Sequence, residues 1–317
     1  MRRLLFALLL SAHAAWAQVY PAKPVRVIVP YPAGSTPDTI GRTLAERLQK
    51  ALGQPFVVEN RSGAGGNIGA EAVAKAPADG YTLLVAGNGP VVINKYLYKG
   101  LGYDPERDLA PISLLASAPQ MLVVRPELGL ADFKAFVEHA RRQPGKLSYA
   151  SVGGGSASHL TMELLKSDAG LALVHVPYRG FPPALTDMLA GNIDAMFAII
   201  PAVLPQIKAG KVIPLAVTAL QRTSMAPEVP SVAELGMPQL ESLAWNGFLA
   251  PAGTPAGVIS RLSSETARGM RTAETHAALG KLGFDVVAGT PEELARWMRV
   301  ESQKWALVIR ASGATAD

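Results

Sequence analysis

Two segments of this chain carry residue types that can hold an anion through backbone amides and hydroxyls. The first is Tyr31-Pro32-Ala33-Gly34-Ser35-Thr36-Pro37-Asp38. The second is Ser151-Val152-Gly153-Gly154-Gly155-Ser156-Ala157-Ser158-His159-Leu160. Each follows a short apolar run and leads into a stretch of helical periodicity. At such a junction the first N–H groups of the helix lack partners, point outward and sit at the positive end of the helix dipole. Glycine lets that backbone approach a bound group closely, and hydroxyls add donors. A carboxylate needs several donors and no competing negative charge. Charge-assisted hydrogen bonds contribute about 1.5–3 kcal/mol each, so roughly three or four account for micromolar binding after association costs.

The same residue types also make ordinary turns and caps, and for one junction alone that is the stronger explanation. Asp38 suits the first turn of a helix, where it complements the dipole; a water or a ligand amine is its other use. Tyr178-Arg179-Gly180, after another apolar run, offers a hydroxyl, a cation and an amide, or else a surface turn with a solvated Arg179. Asn88, between Gly87 and Gly89, faces a cleft or accommodates a left-handed turn. Asp194 follows the Gly191-Asn192 turn, where capping competes with ligand contact.

Catalytic signatures fail individually. Gly154-Gly155-Ser156-Ala157-Ser158 has serine where G-x-S-x-G needs its last glycine, and His159 is only three residues from Ser156. Gly63-Ala64-Gly65-Gly66-Asn67-Ile68-Gly69 misses G-x-G-x-x-G at Ile68, and no Walker A is present. The chain has five histidines, none at metal-ligand spacing. Cysteine is absent, which removes a disulfide framework, a thiolate nucleophile and a lipid acceptor. No catalytic residue, metal or cofactor is assigned.

These segments need a scaffold. The N-terminus, Met1-Arg2-Arg3, then Leu4 to Leu10, then Ala15-Trp16-Ala17, reads as a secretory signal peptide cleaved after Ala17. The apolar run is short of the roughly 20 residues of a membrane span, so the mature protein is expected free of the membrane. The formal charge is +5. Loss of Arg2 and Arg3 from the 30 basic residues leaves 28 against 25 acidic ones, a net of +3. No basic stripe interleaves with aromatics, which argues against nucleic acid.

Apolar runs at Val25–Val29, Phe56–Val58, Leu83–Ala86, Ile112–Ala116, Met121–Val124, Leu147–Ser151, Val174–Val176, Ile193–Ile199 and Ile213–Val217 alternate with helical stretches. The pattern predicts an α/β protein with mainly parallel sheets. One helix is expected from Thr36 and Pro37 to Gly53, with Ile40, Leu44, Leu48 and Leu52 on one face. Another starts at the capping box Thr290-Pro291-Glu292-Glu293. Two lobes suit this length, with Ala116–Val124 and Trp245–Ala250 as linking strands. The expected division is residues 18–120 with 249–317 as lobe 1, and 121–248 as lobe 2.

The ordered landmarks resemble the solute receptors of tripartite tricarboxylate transporters, the Bug-type family. They are Val27 to Gly34 with Asp38; Glu59 to Asn67; Pro77 to Leu83; Tyr103-Asp104-Pro105 with Asp108 to Pro111; Ser151 to Leu160; Tyr178 to Gly180; Gly191 to Asp194; Pro227 to Ser231; and Ala250 to Pro255. The resemblance runs from about Tyr20 to the C-terminus. It implies a type II periplasmic binding-protein fold, with two α/β lobes joined by two linking strands and a small carboxylate in the cleft. That ligand would be a di- or tricarboxylate, an acidic amino acid or an aromatic acid. It nominates Tyr31, Ala33, Gly34, Ser35 and Asp38 from lobe 1, and Ser151, Gly153, Ser156, Tyr178 and Gly180 from lobe 2, with Asp194. Asn88 and Arg179 complete the candidates. The family commonly has a second glycine where Ser35 stands and lysine where Arg179 stands. The implied partners are membrane transporter subunits, docked transiently by a monomer in the periplasm. A ligand-sensing adaptor for a signalling receptor shares this site, and a serine hydrolase using Ser156 and His159 is the third reading.

Overall fold

The computed structural model describes residues 20–315, so the leader expected over residues 1–17 lies outside the described residues. In chain order the first elements are β1 (Val25–Val29), α1 (Thr36–Leu52), β2 (Phe56–Asn60), α2 (Asn67–Ala74) and β3 (Thr82–Gly87). Two short helices, α3 (Asn94–Leu97) and α4 (Pro105–Asp108), lead into β4 (Leu109–Val124). Then come α5 (Phe133–Arg142), β5 (Ser148–Ser151), α6 (Ala157–Ala169), β6 (Val174–Pro177), α7 (Phe181–Leu189), β7 (Ala195–Ile199), α8 (Ile200–Lys208) and β8 (Ile213–Val217). The last elements are β9 (Leu243–Pro251), α9 (Ala256–Met270), α10 (Ala273–Gly280), β10 (Asp285–Val286) and α11 (Pro291–Ser312).

Strand pairing divides these elements into two α/β lobes. In the first, β1 runs parallel to β2 and β3, β9 is antiparallel to β3, and the first part of β4 pairs with β9 and β10. In the second, the last residues of β4, Gln120–Val124, pair antiparallel with β7 and β5 runs parallel to β6 and β7. One strand therefore serves both sheets. Ile112–Ala116 and Met121–Val124 were expected as separate runs, with Ala116–Val124 as a linking strand; they form one strand that carries Pro119. The proline is tolerated because it falls where the partner changes, from Leu243 opposite Pro119 to Ile199 opposite Gln120, so its missing N–H interrupts neither ladder.

The helix packing aims the loops. Ile40, Leu44 and Leu48 of α1 are buried against Val25, Val27 and Val29 of β1, each such side chain contributing about 1.5–3 kcal/mol. Gly41 sits inside that helix because a Cβ there would lie 2.9 Å from Val29 Cγ2. The close approach fixes the start of α1 beside the end of β1. Gly53 ends the helix in the left-handed region, its N–H bonded to Gln49 O. At the other end of the chain the Thr290–Glu293 capping box forms as its spacing predicts. α11 buries Leu294, Met298, Trp305, Val308 and Ile309 and packs on both β4 and α6. Its Glu301 accepts from Trp245 Nε1 at 3.1 Å and from Trp305 Nε1 at 2.8 Å.

Candidate functional site

The loop after β1 is organised by a buried carboxylate. Asp38 Oδ2 accepts from the Gly34 amide and from Arg42 Nε, both at 2.9 Å, and Asp38 Oδ1 accepts from Asn60 Nδ2 at 2.8 Å. Burial alone would raise this carboxyl, but the Arg42, Gly34 and Asn60 hydrogen bonds outweigh it and hold the group below the usual range. The negative charge is thus spent on the loop. Gly34 takes φ +80, where an L side chain is strained. Ser35, not Thr36, is the N-cap of α1, yet its hydroxyl makes no cap bond and is buried without a partner. Ala33 and Gly34 are exposed. The Tyr31 phenol lies near the end of β3 and is pushed above its ordinary range, chiefly by burial, while the Gly87 amide pulls the other way.

The loop after β5 is built from neutral groups. Ser151 Oγ contacts His175 Nε2 at 2.7 Å and Gly153 O at 3.1 Å, and accepts from the Gly153 amide. Ser156 caps α6 by accepting from the His159 amide, and donates to Gly153 O at 2.6 Å. Ser158 Oγ accepts from the Val152 amide. His159 Nδ1 accepts from the Gly155 amide at 3.1 Å. The His159 and His175 rings stack at 4.0 Å between centroids, and Tyr149 stacks on His175 at 4.9 Å. Burial first pushes His159 down to about 3, and His175 to about 4, so both rings are neutral near pH 7. Three hydroxyls and two imidazoles are consumed in shaping the loop, while the amides of Gly154, Ala157 and Ser158 have no acceptor among the described residues.

The other candidates separate. The Tyr178 amide donates to Ser151 O at 3.0 Å, tying the loop after β6 to the loop after β5. The Tyr178 hydroxyl is pushed up to about 12 by burial and by Asp187, to which it donates at 2.6 Å. Arg179 is exposed, and no ion pair reaches it among the described residues. Gly180 precedes α7 at φ +121. Asn88 is fully engaged as a strut: Nδ2 donates to Leu243 O at 3.1 Å, and Oδ1 accepts from the Trp245 amide at 3.3 Å. Asp194 stands apart, at the N-terminal end of β7. Its carboxylate receives Arg125 Nε at 2.7 Å, with the Ser148 amide at 2.7 Å and hydroxyl at 3.0 Å. Ser148 begins β5 and Ser151 ends it, so Asp194 braces the opposite end of the sheet.

The loops of the two lobes meet along one edge. A Cβ added at Gly66 would lie 3.0 Å from Pro90 and 3.5 Å from Pro30, the residue before Tyr31. One at Gly89 would lie 3.4 Å from Gly65 O and 3.5 Å from Gly155 O, and one at Gly155 would lie 2.7 Å from Asn94 Oδ1. Contact is continuous from the loop after β1, through the turn after β3, to the serine-glycine loop. These are the carboxyl ends of parallel strands, where open α/β sheets bind ligands. Sequence reasoning passed over His175, Asn60, Asn94 and Asn246 here. A His three residues before Tyr178, in a strand beside Ser151, was the available signal for His175.

The family model described as "Tripartite tricarboxylate transporter family receptor" matches residues 40–314. Protein BugT of Bordetella pertussis is 37% identical over 94% of this chain and 92% of its own length. An R. palustris protein solved with adipate is 34% identical, with a TM-score of 0.84 over 93% of this chain and 99% of its own. MatC of Rhodopseudomonas palustris, with bound malate, is 32% identical, with a TM-score of 0.82 over 92% of this chain and 100% of its own. With the two-lobed fold and the paired strand-end loops, these matches place the chain: it belongs to the receptors of the tripartite tricarboxylate transporter family, as a periplasmic solute-binding protein of the Bug type.

Proposed function

We propose that this receptor captures a small carboxylate between the loops after β1 and β5 and delivers it, as a monomer, to membrane transporter subunits. The carrying observation is the split of labour in the second loop. Its hydroxyls and imidazoles are occupied, and the amides of Gly154, Ala157 and Ser158 have no acceptor among the described residues. Those amides bind one carboxylate oxygen pair. The first loop answers with the α1 N-terminus, the Ser35 hydroxyl and the exposed backbone at Ala33 and Gly34. Arg179, exposed in the loop after β6, adds a positive charge. Ser151, Gly153, Ser156 and Tyr178 act through loop shape, and Asp38 holds its own loop. The carboxylates held by two relatives, adipate and malate, support the ligand class.

The lobes close by rotation about two crossings. Strand pairing supports Pro119–Gln120 and the neighbourhood of Ser242–Leu243 as their positions, since β9 pairs with β3 along its middle. A leader cleaved after Ala17 delivers the protein to the periplasm. A hydrolase reading has little support, because the Ser156 hydroxyl faces Gly153 O and the His159 ring serves Gly155. Calorimetry of the mature protein against di- and tricarboxylates, acidic amino acids and aromatic acids tests the proposal. Micromolar binding with a raised melting temperature for at least one is expected. Heat from none of them, and no melting shift, refutes it.

A further inference from the structure

We infer that the Asn246 carboxamide and the Tyr31 hydroxyl form a second polar subsite at the cleft floor, which takes the hydroxyl of a hydroxycarboxylate ligand. This rests on the carboxylate-receptor reading and narrows it.

Asn246 lies in β9 opposite Gly87, the last residue of β3. It is 3% exposed, its Oδ1 is buried with no hydrogen-bond partner, and its two neighbours are not in that position. Trp245 donates its amide to Asn88 and its indole N–H to Glu301, while Gly247 has no side chain. Ala244, Phe248 and Ala250 belong to the core that packs on α1. By strand alternation Asn246 faces that same side, at the end where α1 begins. A Cβ built on Gly87 would lie 3.2 Å from Trp245 O, 3.6 Å from Tyr31 Oη and 3.8 Å from Asn246 Oδ1. Both polar atoms therefore sit beside Gly87, at the carboxyl ends of β1 and β3. Native proteins rarely retain a buried carboxamide without partners, and a ligand is one reason to do so.

The chemistry of the pair selects the substituent. The Tyr31 hydroxyl carries a proton that it can donate. Asn246 Oδ1 accepts. An alcohol donates and accepts at once, so it satisfies both groups. An ammonium has only protons to give and leaves the Tyr31 O–H unanswered. The acid of this loop, Asp38, is already compensated by Arg42, so no free carboxylate from that loop draws a cation here.

Calorimetry on matched acids tests the assignment: succinate against malate, and tricarballylate against citrate, with aspartate as the ammonium control, beside the wider carboxylate panel. The hydroxylated member of a pair that binds is expected about tenfold tighter. Asn246→Leu and, independently, Tyr31→Phe should shrink that ratio below about threefold, leaving the unsubstituted acid within about threefold of its wild-type affinity. Unliganded Asn246→Leu should melt no lower than wild type, since it removes an unsatisfied buried group. Equal affinities within a pair, preference for aspartate, or equal weakening of both members by either variant overturns the subsite alone. If no carboxylate of the whole panel binds wild type, the receptor reading itself fails and the subsite falls with it.

Discussion

The loop after β1 and the loop after β5 share an outline and differ in electrostatics. Both run from a strand end, through glycine, to a serine N-cap. In the first, a buried Asp38 gathers Gly34, Asn60 and Arg42, and a charge pair holds the loop. In the second, the gathering groups are the neutral serines and the stacked His159 and His175. An anion site tolerates the first arrangement because Arg42 cancels Asp38. It tolerates the second because burial keeps the rings uncharged, which leaves His159 Nδ1 able to accept from the Gly155 amide. The two loops should therefore fail under different stresses.

The largest effect is expected from Asp38→Ala. It strips acceptors from the Gly34 amide and Asn60, at about 1–3 kcal/mol per group left unsatisfied. Chemical denaturation should show that loss of stability, with carboxylate affinity falling more than about tenfold. A wild-type-like titration would mean that the first loop needs no carboxylate to hold it.

Acid should single out the second loop. The ordinary histidine value is 6.5, and folding lowers His159 to about 3 and His175 to about 4. The unfolded chain then binds more protons between those values, so the stability due to neutral rings is complete above pH 6.5 and drains as pH falls toward 4. Asp38, depressed below its ordinary 3.8, loses its contribution only at still lower pH. A falling melting temperature from pH 7 to 4.5, reduced in His175→Gln, is the expected result. An identical fall in that variant would remove the histidine stack from the account.

Smaller changes sharpen the contrast. Ser156→Ala removes an N-cap, at about 1 kcal/mol, and should lower the melting temperature while changing affinity only a few-fold, because the proposed donors are amides. Loss of all binding would return the role to the hydroxyl. Arg179→Ala should weaken binding least, and its effect should vanish at high salt, as expected of an exposed charge. A salt-independent loss would mean that this guanidinium is buried against the ligand.

Much of the scaffold was legible from local rules. The capping box at Thr290, the stop at Gly53 and the apolar face of α1 depend on residues within a few positions, and all formed. The site was legible only as segments. Ser151 and Ser156 stood out as donors by composition, but the structure spends their hydroxyls on His175 and on Gly153. Asp194 stood beside a turn and proved to be a brace for Ser148 and Arg125. Asn246 gave no signal, because an asparagine in an apolar strand shows its lack of a partner only after the neighbouring strands are in place.

What the sequence determined by itself was the set of elements and the two glycine-rich helix starts. Periodicity, caps and left-handed glycines are properties of short peptides, where few contacts compete. Which polar atoms remain free for a ligand was decided by tertiary structure alone. A hydroxyl has one proton and an amide one N–H, and which partner takes each depends on groups far apart in the chain, such as Ser151 with His175 or Asn88 with Leu243 and Trp245. That allocation is a problem of distances, set only when the two sheets share β4 and the strand ends of both lobes arrive at one edge.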